Sequence, residues 1–291
     1  MKIKIILLLF CLVGISLSAQ IKGVVKDSAS GKPLPHVSVW VENENIGITS
    51  EEDGTFEINT TEKSKKLIFS ALGFKKKKVD VGQTGVVLLS QTAFQLEEVV
   101  IQNRKETQRI EIGQTRSGIM EAFENGARID VKFFPYLMNY KKTRFIKKVS
   151  IITDSQIEAA SFKIHFYGVD TSGFPDGELL DRDFIVKVSK GNTRTIFDVT
   201  KFHLSIPKNG LFVGFEKLMI EKNKIEKTFT DKDTKVTTTQ KIYAPMVLYN
   251  WVARDFIFTF SAGKWNKLTK SEGQRDKMMV NEPAINLILT N

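Results

Sequence analysis

The chain is poor in the residues most often used as reactive groups, with one cysteine and three histidines in 291 residues. The cysteine, Cys11, lies inside the apolar run that opens the chain. Beyond that run there is no thiol to act as a nucleophile, close a disulfide or complete a cysteine-based zinc site. His36, His165 and His203 are far apart, and no HExxH, GxSxG or phosphate-cradling glycine loop accompanies them. Zinc-protease, nucleophile-elbow and P-loop chemistries therefore lack their motifs. A catalytic set scattered along the chain remains an alternative, because a base and a nucleophile need only meet in space.

What is present begins with a leader. Lys2 and Lys4 precede an apolar run over residues 5–17, and Leu17-Ser18-Ala19 ends on a small side chain. This is the pattern of a secretory signal peptide over residues 1–19, cut between Ala19 and Gln20. The run is too short to span a bilayer comfortably, so the mature chain is expected to have no transmembrane helix. Cys11 lies mid-run rather than behind a terminal small residue, which argues against lipid attachment. An exported chain without disulfides holds its domains by their cores alone, and this suits a large bacterial envelope domain. At 291 residues two such domains are expected.

Lys and Arg number 43 against 33 Asp and Glu; without the two leader lysines the excess falls from +10 to +8. Export argues against nucleic acid as the partner, and the lysines are spread along the chain rather than gathered with aromatics. Solvation explains the excess, with an anionic envelope surface or a glycan as the alternative.

Residues 20–91 alternate as short strands. Ile21 and Val25, then Val37, Val39 and Val41, then Phe56 and Ile58, recur at period two. Further strands are expected at 47–49, 66–70, 74–81 and 86–89. The Asp53-Gly54 pair suggests a tight hairpin. Seven short strands in about seventy residues indicate a two-sheet sandwich. The run Gly23-x-Val25-x-Asp27, Gly31-Lys32-Pro33-Leu34, Val37-x-Val39, Gly47-x-Thr49 and Asp53-Gly54-x-Phe56 resembles the carboxypeptidase-regulatory-like domain. That resemblance implies a transthyretin-like fold and an accessory role without catalytic residues. His36 stands where the family often has glycine, and is read as a turn or surface residue rather than a ligand. The lysine run from Lys75 to Lys78 is read as a solvated edge strand.

Gln95-Leu96-Glu97-Glu98-Val99-Val100-Ile101 resembles the segment that follows this domain in TonB-dependent outer-membrane receptors. The residues after it are too few for a barrel of about 22 strands of about 10 residues each. Residues 92–125 are expected to be a linker, with a helical turn near Met120. Residues 126–291 then show repeated apolar runs at 129–134, 146–153, 162–167, 184–188, 194–199, 202–206, 211–215, 242–248, 256–261 and 285–290. These predict a larger, jelly-roll-like β-sandwich, so the whole chain is all-β. Lys163 and Lys187 inside candidate strands argue against a membrane barrel. Residues 221–241 suggest a protruding hairpin.

Trp40, Tyr249, Trp251 and Trp265 are the candidates for an apolar platform on which a sugar ring could stack, and core packing is the commoner role for such side chains. Asp170, Asp176, Asp181 and Asp183 form the acidic cluster best placed to supply oxygen ligands to calcium. Their spacing does not match a calcium loop, which leaves Asp170 and Asp176 as weak metal candidates beside turn-forming roles. No cofactor is indicated. The sequence thus points to a non-catalytic exported binding or assembly protein of the periplasm or outer surface, engaging a glycan or an envelope protein through its second sandwich. Two alternatives stay open: an envelope hydrolase with its site in that sandwich, and an accessory subunit bound to an outer-membrane transporter.

Overall fold

Period-two alternation, punctuated by residues that tolerate left-handed backbone, builds a molecule of strands and short 3-10 turns. The computed structural model describes residues 19–60, 65–92, 106–113, 120–122, 126–271 and 276–291. The leader reading for 1–18 and the receptor-like segment 96–101 lie outside the described residues. No described helix is long and apolar enough to cross a membrane.

The first body contains β1 (Ala19–Asp27), β2 (Ser38–Val41), β3 (Gly47–Thr49), β4 (Thr55–Thr60), β5 (Lys66–Ser70), β6 (Lys77–Asp80) and β7 (Val86–Leu89). They form a three-stranded sheet of order β4-β1-β7 and a four-stranded sheet of order β3-β2-β5-β6. One cluster fills the space between them, from Val25, Phe56 and Ile58 on one side to Val39, Leu67 and Phe69 on the other. The Asp53-Gly54 turn does not close the expected hairpin, because β3 and β4 belong to different sheets. Gly54, at φ +78°, accepts from the Val25 N–H, so the turn hands the chain across to β1. His36 also has a left-handed backbone, φ +57°, the region that glycine enters without steric cost.

The second body contains β8 (Arg109–Ile112), β9 (Met120–Ala122), β10 (Ile129–Phe134), β11 (Phe145–Ser155), β12 (Ala160–Val169), β13 (Pro175–Glu178), β14 (Phe184–Val188), β15 (Gly191–Asp198) and β16 (Leu211–Lys217). It continues through β17 (Lys224–Thr230), β18 (Thr237–Tyr243), β19 (Met246–Arg254), β20 (Phe256–Ser261), β21 (Lys264–Thr269), β22 (Met278–Pro283) and β23 (Ile285–Thr290). One seven-stranded sheet runs β13-β12-β16-β10-β20-β21, with β14 also on β12. The other runs β22-β19-β11-β23-β8, with β15 on β11 and β9 on β19. All pairings in both are antiparallel, and the sheets share a core that includes Phe162, Ile164, Val213, Phe215, Ile151 and Leu287. The β17–β18 hairpin stands apart as a two-stranded ribbon, mostly exposed.

Several expectations change. Within 92–125, read as a linker, β8 pairs with β23 and packs Ile110 and Ile112 on the main core, and β9 pairs with β19; Met120 starts a strand rather than a helical turn. Residues 202–206 are not a strand: Thr200–Phe202 is a 3-10 turn and His203 sits at φ +52°. The run 242–248 is divided between β18 and β19. Residues 175–178, read as part of a turn, form β13 on the sheet edge.

The first sheet of the second body has an outer face with a core of its own, where Ile129, Val131, Phe212 and Phe258 are buried under Phe133, Phe174, Phe256 and Trp265. Lys267 on β21 crosses this cluster, its ammonium 5.7, 5.2 and 5.4 Å from the ring centres of Phe174, Phe256 and Phe258. We expect Lys267→Ala to lower stability by about 1 kcal/mol in urea unfolding. Lys267→Met, which keeps an apolar stem, should lose less, and equal losses would assign the whole effect to the charge.

Candidate functional site

The two bodies meet where the four-stranded sheet of the first lies against the outer face of β12 and β16. Alternation on β12 sends Phe162, Ile164 and Phe166 into the main core, leaving Lys163, His165 and Tyr167 for the opposite face. On β16 the same rule places Glu216 opposite Lys163. A cavity of about 440 Å³ lies at this junction, lined from the first body by Ser38, Trp40, Phe74 and Lys76 and from the second by Lys163, His165, Tyr167, Glu178, Glu216 and Trp265.

His165 is its polar centre. Nδ1 lies 2.8 Å from a Glu178 oxygen and Nε2 3.1 Å from a Glu216 oxygen. Burial alone would push the imidazole pKa down, but the two carboxylates outweigh it and raise the value to about 9. At neutral pH the ring is therefore an imidazolium with both N–H groups donating. Glu178 also accepts from the Phe166 N–H at 2.7 Å. Glu216 accepts from the Ser38 hydroxyl of the first body. Burial would raise the Glu216 carboxyl, yet its bond to His165 and the charge of Lys163 hold it below the usual carboxylate range. Lys163, 2% exposed, donates to the His36 carbonyl at 2.7 Å and pairs with Asp183 at 3.2 Å. The Tyr167 ring stacks on His165 at 5.5 Å, and burial pushes its phenol well above the ordinary range.

An aromatic wall faces these charges. Trp40 packs edge-on against Phe260 at 5.8 Å, and Phe260 against Trp265 at 5.3 Å. The candidate aromatics thus divide. Trp40 and Trp265 line the cavity, Trp40 almost fully buried and Trp265 partly so. Trp251 lies on β19 in the other sheet and is 41% exposed. Tyr249 is buried between the sheets, its hydroxyl donating to Asp130 at 2.5 Å, which removes it from any open surface. With interplanar angles of 81° and 72° along Trp40, Phe260 and Trp265, the rings form a corner rather than a flat platform. Asp170 is engaged in its own turn, accepting from the Ser172 and Phe174 N–H groups at 2.8 Å each. Asp176 is exposed on β13. Among the described residues no group of three or more His, Cys, Asp or Glu is arranged to hold a metal ion.

Glu178, Glu216 and Ser38 carry no signal of their own in the sequence, and Lys163 stands out there only as a charge inside a candidate strand. Alternation marks their side chains as the face away from the local core, which in a lone sandwich would be solvent. The order of groups also limits the chemistry. Ser38 donates to a carboxylate rather than to an imidazole, and His165 has no free nitrogen with which to accept a proton. Serine activation by a neutral histidine is therefore not assembled here.

A second cavity, about 580 Å³, has Phe133, Phe256 and Phe258 in its walls and Lys132 at its base. Lys132, 2% exposed, donates to the Gly113 carbonyl at 2.6 Å and lies 3.2 Å from Glu282, which Arg254 also grips at 2.6 Å. Burial pushes the Lys132 pKa down.

Residues 21–101 match the CarboxypepD_reg-like domain family. The chain is 34% identical over 106 residues to TonB-dependent receptor P3 of Formosa agariphila. That match covers 34% of this chain but 11% of the receptor's length. Solved structures offer only distant likeness. The cysteine protease and lectin-like domains of Cwp84, a surface layer associated protein of Clostridium difficile, align at 11% identity over 88% of this chain and 58% of theirs, with a TM-score of 0.33. The infectious bursal disease virus Gt strain structure aligns at 8% identity over 93% of this chain and 64% of its own, with a TM-score of 0.22. Neither likeness bears on the topology or the function of this chain.

Proposed function

We propose that this chain is a non-catalytic binding or assembly protein of the bacterial cell envelope, working beside an outer-membrane uptake system. Residues 20–91 serve as the mount and residues 126–291 as the part that meets the partner. The observation that carries the non-catalytic reading is the state of His165, whose two nitrogens are both occupied by carboxylates in the cavity between the bodies. The similarity of part of the chain to a TonB-dependent receptor supports the place of work, and the CarboxypepD_reg-like match supports an accessory role for the first body. Affinity capture of the full chain from native envelope membranes should recover an outer-membrane transporter. Recovery of none would remove the uptake reading.

A hydrolase is the second reading, favoured by the presence of a histidine and two carboxylates in one cavity. It requires the purified protein to turn over glycan, peptide or ester substrates and to lose that turnover in His165→Gln or Glu178→Gln. Turnover with that mutational signature would overturn the non-catalytic reading.

A further inference from the structure

The cavity joins two chemically different walls. On one side are Trp265, Phe260 and Trp40; on the other, cations and carboxylates alternate. Lys76, Lys163 and protonated His165 stand against Glu178, Asp183 and Glu216, so the lining has no net charge. A lining of this kind gains little Coulombic energy from an ionic ligand, since each attractive group is matched by a repulsive one. Its polar atoms suit a ligand that both donates and accepts hydrogen bonds, and its aromatic corner suits one with an apolar face. A volume of about 440 Å³ falls in the range of small-molecule sites.

We propose that this junction is a binding subsite for a neutral, hydroxyl-rich ring, a single sugar unit of an uncharged glycan. Trp265 supplies the apolar contact, being the cavity-lining tryptophan that is only partly buried. Asp183 accepts from ligand hydroxyls: it is the least buried of the three carboxylates, and its Lys163 contact runs through one oxygen. The buried relay from Glu178 through His165 to Glu216 and Ser38 holds the two walls in place, and is not itself spent on the ligand. Both ligand-contacting residues belong to the second body, and Ser38, Trp40, Phe74 and Lys76 of the first complete the cavity wall.

This subsite deepens the binding-protein reading and rests on it. The test is titration of the full chain, followed by calorimetry and tryptophan fluorescence, with neutral gluco-, xylo- and manno-oligosaccharides and with oligouronates as charged counterparts. At least one neutral series should bind, with its uronate counterpart weaker by tenfold or more, about 1.4 kcal/mol. Trp265→Ala should weaken binding by about tenfold or more, while Trp251→Ala on the other sheet leaves it unchanged. Trp265→Phe, which keeps a ring, guards against misfolding and should retain part of the affinity. Failure of every neutral series to bind at millimolar concentration overturns the subsite, as does binding indifferent to Trp265→Ala. Capture of a transporter without glycan binding would sink the subsite alone. Glycan binding without a transporter supports the subsite and removes only the uptake reading.

Discussion

Glu216→Ala is expected to lower the stability of the protein by about 3–5 kcal/mol, the cost of breaking a buried charge pair on one side. Glu216 is 5% exposed and serves three groups at once: the His165 imidazolium, the Lys163 ammonium and the Ser38 hydroxyl. Its removal leaves His165 with one carboxylate and Lys163 with Asp183, and Ser38 loses its acceptor at the junction. At about 2–4 °C per kcal/mol, the melting midpoint should fall by about 6–20 °C. Glu216→Gln keeps the volume and an acceptor for Ser38, and should cost less. The contrast is Glu57→Ala, which removes the partner of Lys22 on the surface and should leave stability nearly unchanged. Calorimetry on the three variants decides the matter: a Glu216→Ala loss no larger than the Glu57→Ala loss would mean that the relay does not hold the bodies together.

Alkaline pH should loosen the same junction. The folded-state pKa of His165 is raised from 6.5 to about 9, because the nearby carboxylates more than offset the burial that would lower it. A raised value means that the folded protein binds the proton more tightly than the unfolded chain. The resulting stabilisation is complete below pH 6.5, declines between 6.5 and about 9, and is gone above that. At 1.36 kcal/mol per unit it amounts to about 3 kcal/mol. Glu216 has the opposite sign. Its carboxyl is lowered from 4.5, so its contribution is present above pH 4.5 and lost as the pH falls further. The relay is therefore most stabilising between about pH 4.5 and 6.5. Urea unfolding from pH 6 to 9.5 on the parent and on His165→Gln isolates the effect from Lys132, which lies in the other cavity and is present in both proteins. Parallel slopes in the two would defeat the assignment.

The first body was the more legible of the two. β1, β2 and β4 follow from apolar residues at period two and β5 and β7 from short apolar runs, and the β4 pattern, with Phe56 and Ile58 inward and Thr55 and Glu57 outward, is what a half-buried strand requires. Sheet membership was not legible. Asp53-Gly54 encodes a turn, but whether the next strand pairs with β3 or with β1 depends on contacts distant in sequence. In the second body, β13 and β21 carry little apolar pattern, because edges of a sheet need little of it to be held by their neighbours, while β8 alternates Ile110 and Ile112 but is too short to stand out from the charged stretch around it.

On β2 the difference between local and tertiary information is sharpest. Alternation makes Val39 and Val41 core residues and assigns Ser38 and Trp40 to the other face, and both statements hold. Alone, the second face would be wet; in the molecule all four are buried, because the second sandwich covers it. The same holds for Lys163 and His165, whose alternation with Phe162, Ile164 and Phe166 would equally describe a solvent face. The sequence by itself determined the all-β class, the strands of the first body and the absence of familiar catalytic motifs, because strand periodicity and motif spacing are local properties of the chain. Only the tertiary structure decided that Ser38, Glu216, His165 and Glu178 form one buried relay beside an aromatic corner, because the hydrogen bond from Ser38 to Glu216, 178 residues apart, depends on which faces come to lie together.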